Sequence, residues 1–246
     1  MNNKNFQINI AHLYPNLLNI YGDWGNMLTI KKRCEWRNID VNVESISIND
    51  TIDIKKYDFY FLGGGQDQQQ VIVAKELYKH RSALFEAADE GAVFLAICGG
   101  YQLLGHFYQP QDGVKLDGIS LLDAYTLAGK KRFIGNVTAK CDFSVPETLV
   151  GFENHSGLTY LQGETKPLGL ISTGNGNNGK DGTEGARYKN VFGTYLHGAF
   201  LPKNPHFADY LIKLALKRRY SESVSLPKLN DDFEKNAHQS LVDKMY

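Results

Sequence analysis

Two short apolar runs halted by glycine do most to limit what this chain can fold into: "FYFLGGG" at residues 59–65 and "AVFLAICGG" at residues 92–100. Both are too short for a core helix and rich in aromatic and branched residues, so each reads as a strand buried on both faces that feeds a sharp turn. Helical spacing follows each of them. The stretch from about Asp67 to Glu90 is predicted as one helix with Gly91 as its C-cap, and "GYQLLGHFY" as the first turns of another. Upstream, "FQINIAHLY" alternates and then turns apolar as a first strand would. "WGNMLTIKKRCEWRN" carries apolar residues at helical spacing, and "DVNVESISI" alternates strongly. Strands that alternate with helices imply a mostly parallel sheet with helices on both faces, the α/β class.

From Lys131 the texture changes. "RFIGNVTAKCDF", "TLVGFENHSG", "LGLIST" and "NVFGTYLHG" read as successive strands, and "PHFADYLIKLALKRRY" as a closing amphipathic helix. The expected organisation is one domain over residues 1–220 and a polar tail over 221–246, which either docks on a partner or frays. Twenty-seven basic side chains balance 27 acidic ones, so no basic field exists to draw nucleic acid or an anionic membrane surface. The opening "MNNKNFQINIAHLYP" lacks the continuous apolar run of a signal peptide or membrane span, which predicts a cytoplasmic protein. Three cysteines, Cys34, Cys98 and Cys141, share no metal-ligand spacing, and their odd number predicts free thiols with no metal site.

Cys98 stands apart from the other two because it falls where a strand ends and two glycines begin. In open α/β sheets, binding and chemistry gather at the carboxyl ends of strands. Gly99 and Gly100 let the backbone turn sharply there, the geometry of a nucleophile elbow with cysteine in the serine's place. Such a nucleophile needs a base within hydrogen-bond reach. His155 in "FENHSG" and His197 in "GTYLHG" both end apparent strands, and the pattern leaves both open.

The segments "LGGGQD", "AICGGYQLLG" and "GTYLHG", in this order, resemble the class I glutamine amidotransferases over nearly the whole chain. The elbow matches that family's Cys-x-Gly-x-Gln-x-x-Gly at Cys98, Gly100, Gln102 and Gly105. "HLYPNLLNIYGDWGN" and "GFENHSGLT" narrow the resemblance to the branch of cobyric acid synthase glutaminases. Within that branch they point to the glutaminase subunits of lipid II isoglutaminyl synthase. The resemblance implies a flavodoxin-like three-layer sandwich, Cys98 as nucleophile and His197 as general base. It further implies Arg132 and Gln102 as substrate contacts and the backbone amides of Gly64 and Gly99 as the oxyanion hole.

It also implies L-glutamine as substrate, no cofactor in this chain, and a heterodimer with a Mur-ligase-like synthetase subunit of MurT type that uses ATP and Mg. The alternatives are a glutaminase for another acceptor such as cobyrinate, or a non-catalytic binding module of the same fold. Many class I glutaminases place a glutamate two residues after the histidine, but here the order is His197, Gly198, Ala199. Asp23 in "YGDWGN" is the candidate for the missing third member. "GNGNNGKD", residues 174–181, departs from a phosphate loop at Asp181 and is predicted to be a flexible hairpin loop. The Asn-x-Ser/Thr matches at Asn136 and Asn154 carry no expectation of glycosylation.

Overall fold

The computed structural model describes residues 6–143 and 147–243. Its first half runs β1 (Phe6–Leu13), α1 (Trp24–Glu35), β2 (Ile39–Ile46), β3 (Phe59–Leu62), α2 (Asp67–Lys79), α3 (Arg81–Asp89), β4 (Val93–Ile97) and α4 (Gly99–Leu104). The second half runs β5 (Phe107–Gln109), β6 (Leu116–Asp117), β7 (Ala124–Lys140), β8 (Thr148–Leu161), β9 (Gly169–Thr173), β10 (Thr183–Glu184), β11 (Ala186–Tyr188), β12 (Val191–Thr194), α5 (Pro205–Tyr220) and α6 (Asp232–Asp243).

The period-two side-chain alternation of a strand explains the three layers. Ile8, Ile10, Phe59, Phe61, Val93, Leu95 and Ile97 point to one core, where α1 supplies Met27 and Ile30 and α5 supplies Phe207, Leu211 and Ile212. The intervening Ala11, Leu13, Tyr60, Leu62, Phe94 and Ala96 point to the other core, against Val73 and Leu77 of α2, Leu84 of α3 and Leu103 of α4. Each such fully buried Leu or Phe contributes about 1.5–3 kcal/mol. The sheet order is β2-β1-β3-β4-β12-β11, parallel except for the β11–β12 pair. Its first five strands reproduce the flavodoxin-like arrangement.

Three sequence expectations shift in detail. The helix expected from Asp67 to Glu90 is two, because His80 leaves helical geometry at φ −96° and ψ 4°, and Arg81 Nε donates to the Ile119 carbonyl at 3.1 Å. The helix after Cys98 stops at Leu104, where Gly105 is extended and Phe107–Gln109 pairs as a strand. The strands around residues 124–173 form a second, mainly antiparallel sheet of order β10-β9-β7-β5-β6, with β8 on β7. "NVFGTYLHG" alone returns to the first sheet, as β12.

The described part of the tail folds back on the domain. Arg33, 2% exposed, binds Asp209 through Nε at 2.7 Å and Asp231 through Nη1 at 2.6 Å. Arg37 Nε donates to the Pro227 carbonyl at 2.7 Å. Because Arg33 is out of water, its buried guanidinium donors depend on both carboxylates, and the Asp231 pairing fixes the tail's path. In α6, His238 meets the Thr148 hydroxyl through Nε2 at 2.7 Å and the Lys203 carbonyl through Nδ1 at 2.8 Å.

Burial lowers His238, and lowers its neighbour His206 to about 4 with help from His238. His12, buried against Trp24 and Phe61, is likewise pushed by burial to about 4. All three are depressed below 6.5, so their folded form is unpenalised above that pH and loses stability as pH falls from 6.5 toward 4. Melting temperature is expected to drop by about 5 °C across that interval, and His238→Gln to flatten the drop. A pH-independent melting temperature would contradict this.

Candidate active site

The carboxyl ends of the parallel strands bring the predicted residues to one place. Cys98 follows β4 directly, with φ 49° and ψ −105°, a left-handed backbone that costs a non-glycine residue about 1–3 kcal/mol. Neighbouring elements hold that geometry. The Cys98 amide donates to the Thr194 carbonyl at 2.8 Å, and the Gly100 amide to the Gly63 carbonyl at 3.2 Å. Gly100 is needed for this approach, since a Cβ there would lie 2.8 Å from both the Gly63 oxygen and Leu62 Cβ. Cys98 is partly open, whereas Cys34 and Cys141 are buried, and burial raises the Cys34 thiol to about 12. Among the three thiols, only Cys98 combines access with a strained turn.

His197, just beyond β12, is placed by a bond from its amide to the Phe152 carbonyl at 2.8 Å, which ties the two sheets together. Gly64, after β3, sits among three groups. A Cβ there would lie 3.3 Å from Asp23 Oδ2, 3.3 Å from His197 Cε1 and 3.5 Å from Cys98 Cβ. Asp23, His197 and Cys98 therefore share one small volume. Burial alone would push the His197 imidazole down, but the negative charges of Cys98 and Asp23 outweigh it and raise the ring to about 10.

Asp23 occupies the cap position of α1 without capping it, since the Trp24 amide binds Asn19 Oδ1 instead. Its carboxylate turns inward, with Oδ1 3.8 Å from His197 Nδ1 and Oδ2 accepting from the Gly64 amide at 2.6 Å. The departure at Ala199 has a structural counterpart. Ala199 packs against α1 so closely that a Cβ on Gly25 would lie 2.7 Å from its own. The same helix start carries Asp23, whose Oδ1 lies 3.8 Å from His197 Nδ1. The Gly64 amide, expected in the oxyanion hole, is committed to Asp23, and a Gly99 Cβ would lie 3.0 Å from the Gly65 amide nitrogen.

Cys98 and His197 open on a cleft of about 630 Å³ that is also lined by Gln102, Arg132, Asn154 and His155. Arg132 lies where the β7–β8 register shifts between Ala128 and Phe133, the kind of bulge that re-aims a side chain. Its Nε donates to Asn154 Oδ1 at 2.7 Å, a pairing across 22 residues that nothing in the local sequence signals. Gln102 Nε2 is anchored on the Tyr195 hydroxyl at 3.1 Å, which in turn meets Thr159 Oγ1 at 2.7 Å. His155, the other candidate base, has Nδ1 on the Gly157 carbonyl at 2.8 Å and its ring stacked on Tyr195 at 3.6 Å. It forms wall, while His197 faces the thiol.

The loop at 174–181 is a hairpin connection between the antiparallel β9 and β10, as expected, but it is packed against the domain rather than open. Asn177 and Asn178 are buried, with Asn177 accepting from the Tyr101 hydroxyl at 3.1 Å and Asn178 Nδ2 donating to the Thr159 carbonyl at 2.9 Å. Glu153 binds the Asn175 and Gly176 amides from β8, each at 3.0 Å. Composition suggested mobility, but every polar group named here has a buried partner, so the loop braces the wall behind Gln102. Among the described residues no group of three or more His, Cys, Asp or Glu is placed to hold a metal, and no helix is long and apolar enough to cross a membrane.

A thiol on a strained strand-to-helix turn, beside an imidazole backed by a carboxylate, is the equipment of covalent acyl transfer on a flavodoxin-like sheet. The chain belongs to the CobB/CobQ-like glutamine amidotransferase domain family, which matches residues 9–205. It is 43% identical to the GatD subunit of lipid II isoglutaminyl synthase (glutamine-hydrolyzing) from Streptococcus pneumoniae, over 93% of this chain and 88% of that protein. It is 40% identical to the corresponding GatD subunit from Staphylococcus aureus, over 97% of this chain and 96% of that protein. Among solved structures, a chain of PurLQS from Thermotoga maritima shares the fold at a TM-score of 0.60 and 16% identity, covering 89% of this chain and 100% of that one.

Proposed function

We propose that this chain is the glutaminase subunit of a lipid II isoglutaminyl synthase. It hydrolyses L-glutamine to glutamate and ammonia, and passes the ammonia to an ATP- and Mg-dependent, Mur-ligase-like partner of MurT type. That partner activates the D-glutamate carboxyl of lipid II, which ammonia converts to D-isoglutamine. The observation that carries the reading is the near full-length similarity to two GatD subunits. The convergence of Cys98, His197 and Asp23 at the strand ends supports it.

In this reading His197 has already taken the Cys98 proton, as its upward shift requires, and the Cys98 thiolate attacks the side-chain amide carbon of glutamine. Asp23 orients the imidazole and stabilises its charged form. The tetrahedral oxyanion faces the Gly99 amide and, since Gly64 serves Asp23, the Gly65 amide rather than that of Gly64. Collapse breaks the C–N bond, and His197 returns the proton so that ammonia leaves. Water, deprotonated by His197, then hydrolyses the glutamyl thioester to glutamate and regenerates the thiol. Arg132, steadied by Asn154, receives the α-carboxylate of the substrate, a match for a guanidinium fork. Ammonia in bulk water is mostly protonated and then no nucleophile, so transfer must be sheltered, which requires the partner to close over the cleft.

The test is reconstitution. The chain, a Mur-type ligase, ATP, Mg, lipid II and L-glutamine together are expected to convert the stem-peptide carboxyl to its amide, read by mass spectrometry. Amidation of cobyrinate by a copurifying synthetase, with lipid II untouched, would move the chain to that acceptor instead.

A further inference from the structure

The cleft holds a charged group that the steps above leave idle. Among the described residues lining it, Asp67 is the sole carboxylate and Arg132 the sole guanidinium or ammonium side chain. They come from different layers, Asp67 opening α2 and Arg132 standing at the register shift of β7. Tyr108 lines the same cleft. Burial raises its phenol, the charges of Asp67 and Cys98 raise it further to about 12, and Arg132 pulls it back. A side chain within range of all three charges, and itself in the cleft wall, locates Asp67, Arg132 and Cys98 around one volume.

We propose that Asp67 binds the α-ammonium of substrate glutamine while Arg132 takes the α-carboxylate, so that the cleft reads the amino-acid zwitterion at the end remote from the scissile amide. The proposal rests on the glutaminase reading and adds the recognition of a group that reading leaves without a partner. With the amide carbon at Cys98, the opposite end of glutamine carries one positive and one negative group on a single carbon. Arg132 alone would attract the carboxylate and repel the ammonium. A carboxylate across the cleft removes that conflict and makes the lining neutral toward a neutral zwitterion. Asp67 also sits in the first turn of α2, where a negative charge favours the helix. That role affects stability and has no reason to affect which amide is preferred.

The two roles separate on a pair of substrates. Glutaramate is glutamine with hydrogen in place of the α-ammonium, and it keeps both the amide and the carboxylate. We would measure kcat/KM for L-glutamine and for glutaramate with the full chain and with Asp67→Asn, which keeps shape and polarity but not charge. The unsubstituted chain is expected to prefer L-glutamine by about fivefold, the upper scale of an ion pair at an exposed site. Asp67→Asn is expected to lose most of that preference through a higher KM for L-glutamine, with glutaramate hydrolysed at similar rates by both proteins.

The same preference in both proteins would overturn the assignment. So would an equal loss on both amides, which marks a structural role. If the unsubstituted chain hydrolysed neither amide and its Cys98 resisted glutamine-mimicking electrophiles, the glutaminase reading itself would fall, and this assignment with it.

Discussion

Replacing Cys98 with alanine removes glutamine-dependent amidation, by roughly five orders of magnitude in kcat/KM, while the complex still amidates its acceptor from added ammonium salt. The asymmetry follows from where the thiol sits. In the proposed reading it forms the covalent bond to glutamine while the partner subunit activates the acceptor, so ammonia supplied from solution bypasses the missing sulfur. Alanine meets the φ of 49° at this position no worse than cysteine, since both carry a Cβ, and the bonds that hold the turn are made by backbone atoms. The elbow therefore survives the substitution. Loss of both activities would mean that Cys98 holds the structure together rather than attacking the substrate.

Replacing His197 with alanine is expected to lower glutamine hydrolysis by roughly three orders of magnitude, the usual worth of a positioned acid and base. In the proposed mechanism the ring serves both half-reactions, protonating the departing ammonia and then deprotonating the hydrolytic water, and Asp23 and Cys98 together raise it to about 10 against the opposing effect of burial. Its bond into the fold is made by the backbone, from its own amide to the Phe152 carbonyl, so the variant keeps the link between the two sheets. The far-UV circular dichroism and melting profile should stay close to those of the unsubstituted chain while turnover falls. A His197→Ala variant within tenfold of full activity would shift the base to another residue, with His155 first to be tested.

Elements whose physics is local were legible in the sequence. The buried strands at Phe59–Leu62 and Val93–Ile97 announced themselves by composition and by the glycines after them, and Cys98 by falling between the two signals. Arg132 and Gln102 entered through resemblance, and the structure places both on the cleft. What stayed hidden was set by contacts between distant residues. The inward turn of the Asp23 carboxylate depends on a glycine amide 41 residues later. Docking of the tail depends on Arg33, 198 residues before Asp231. The polar run at 174–181 was misread as flexible because composition reports polarity and is silent on whether polar groups find buried partners, as Asn177 and Asn178 do.

The central claim, that this chain breaks glutamine at Cys98 with His197 as base, is tested most directly by covalent capture. The purified chain, treated with the diazoketone 6-diazo-5-oxonorleucine and digested for peptide sequencing by mass spectrometry, should carry one adduct, on Cys98. Labelling should slow sharply in His197→Ala and vanish in Cys98→Ala. An adduct on Cys34 or Cys141 with Cys98 untouched, or no adduct even with a Mur-type ligase present, would contradict the account.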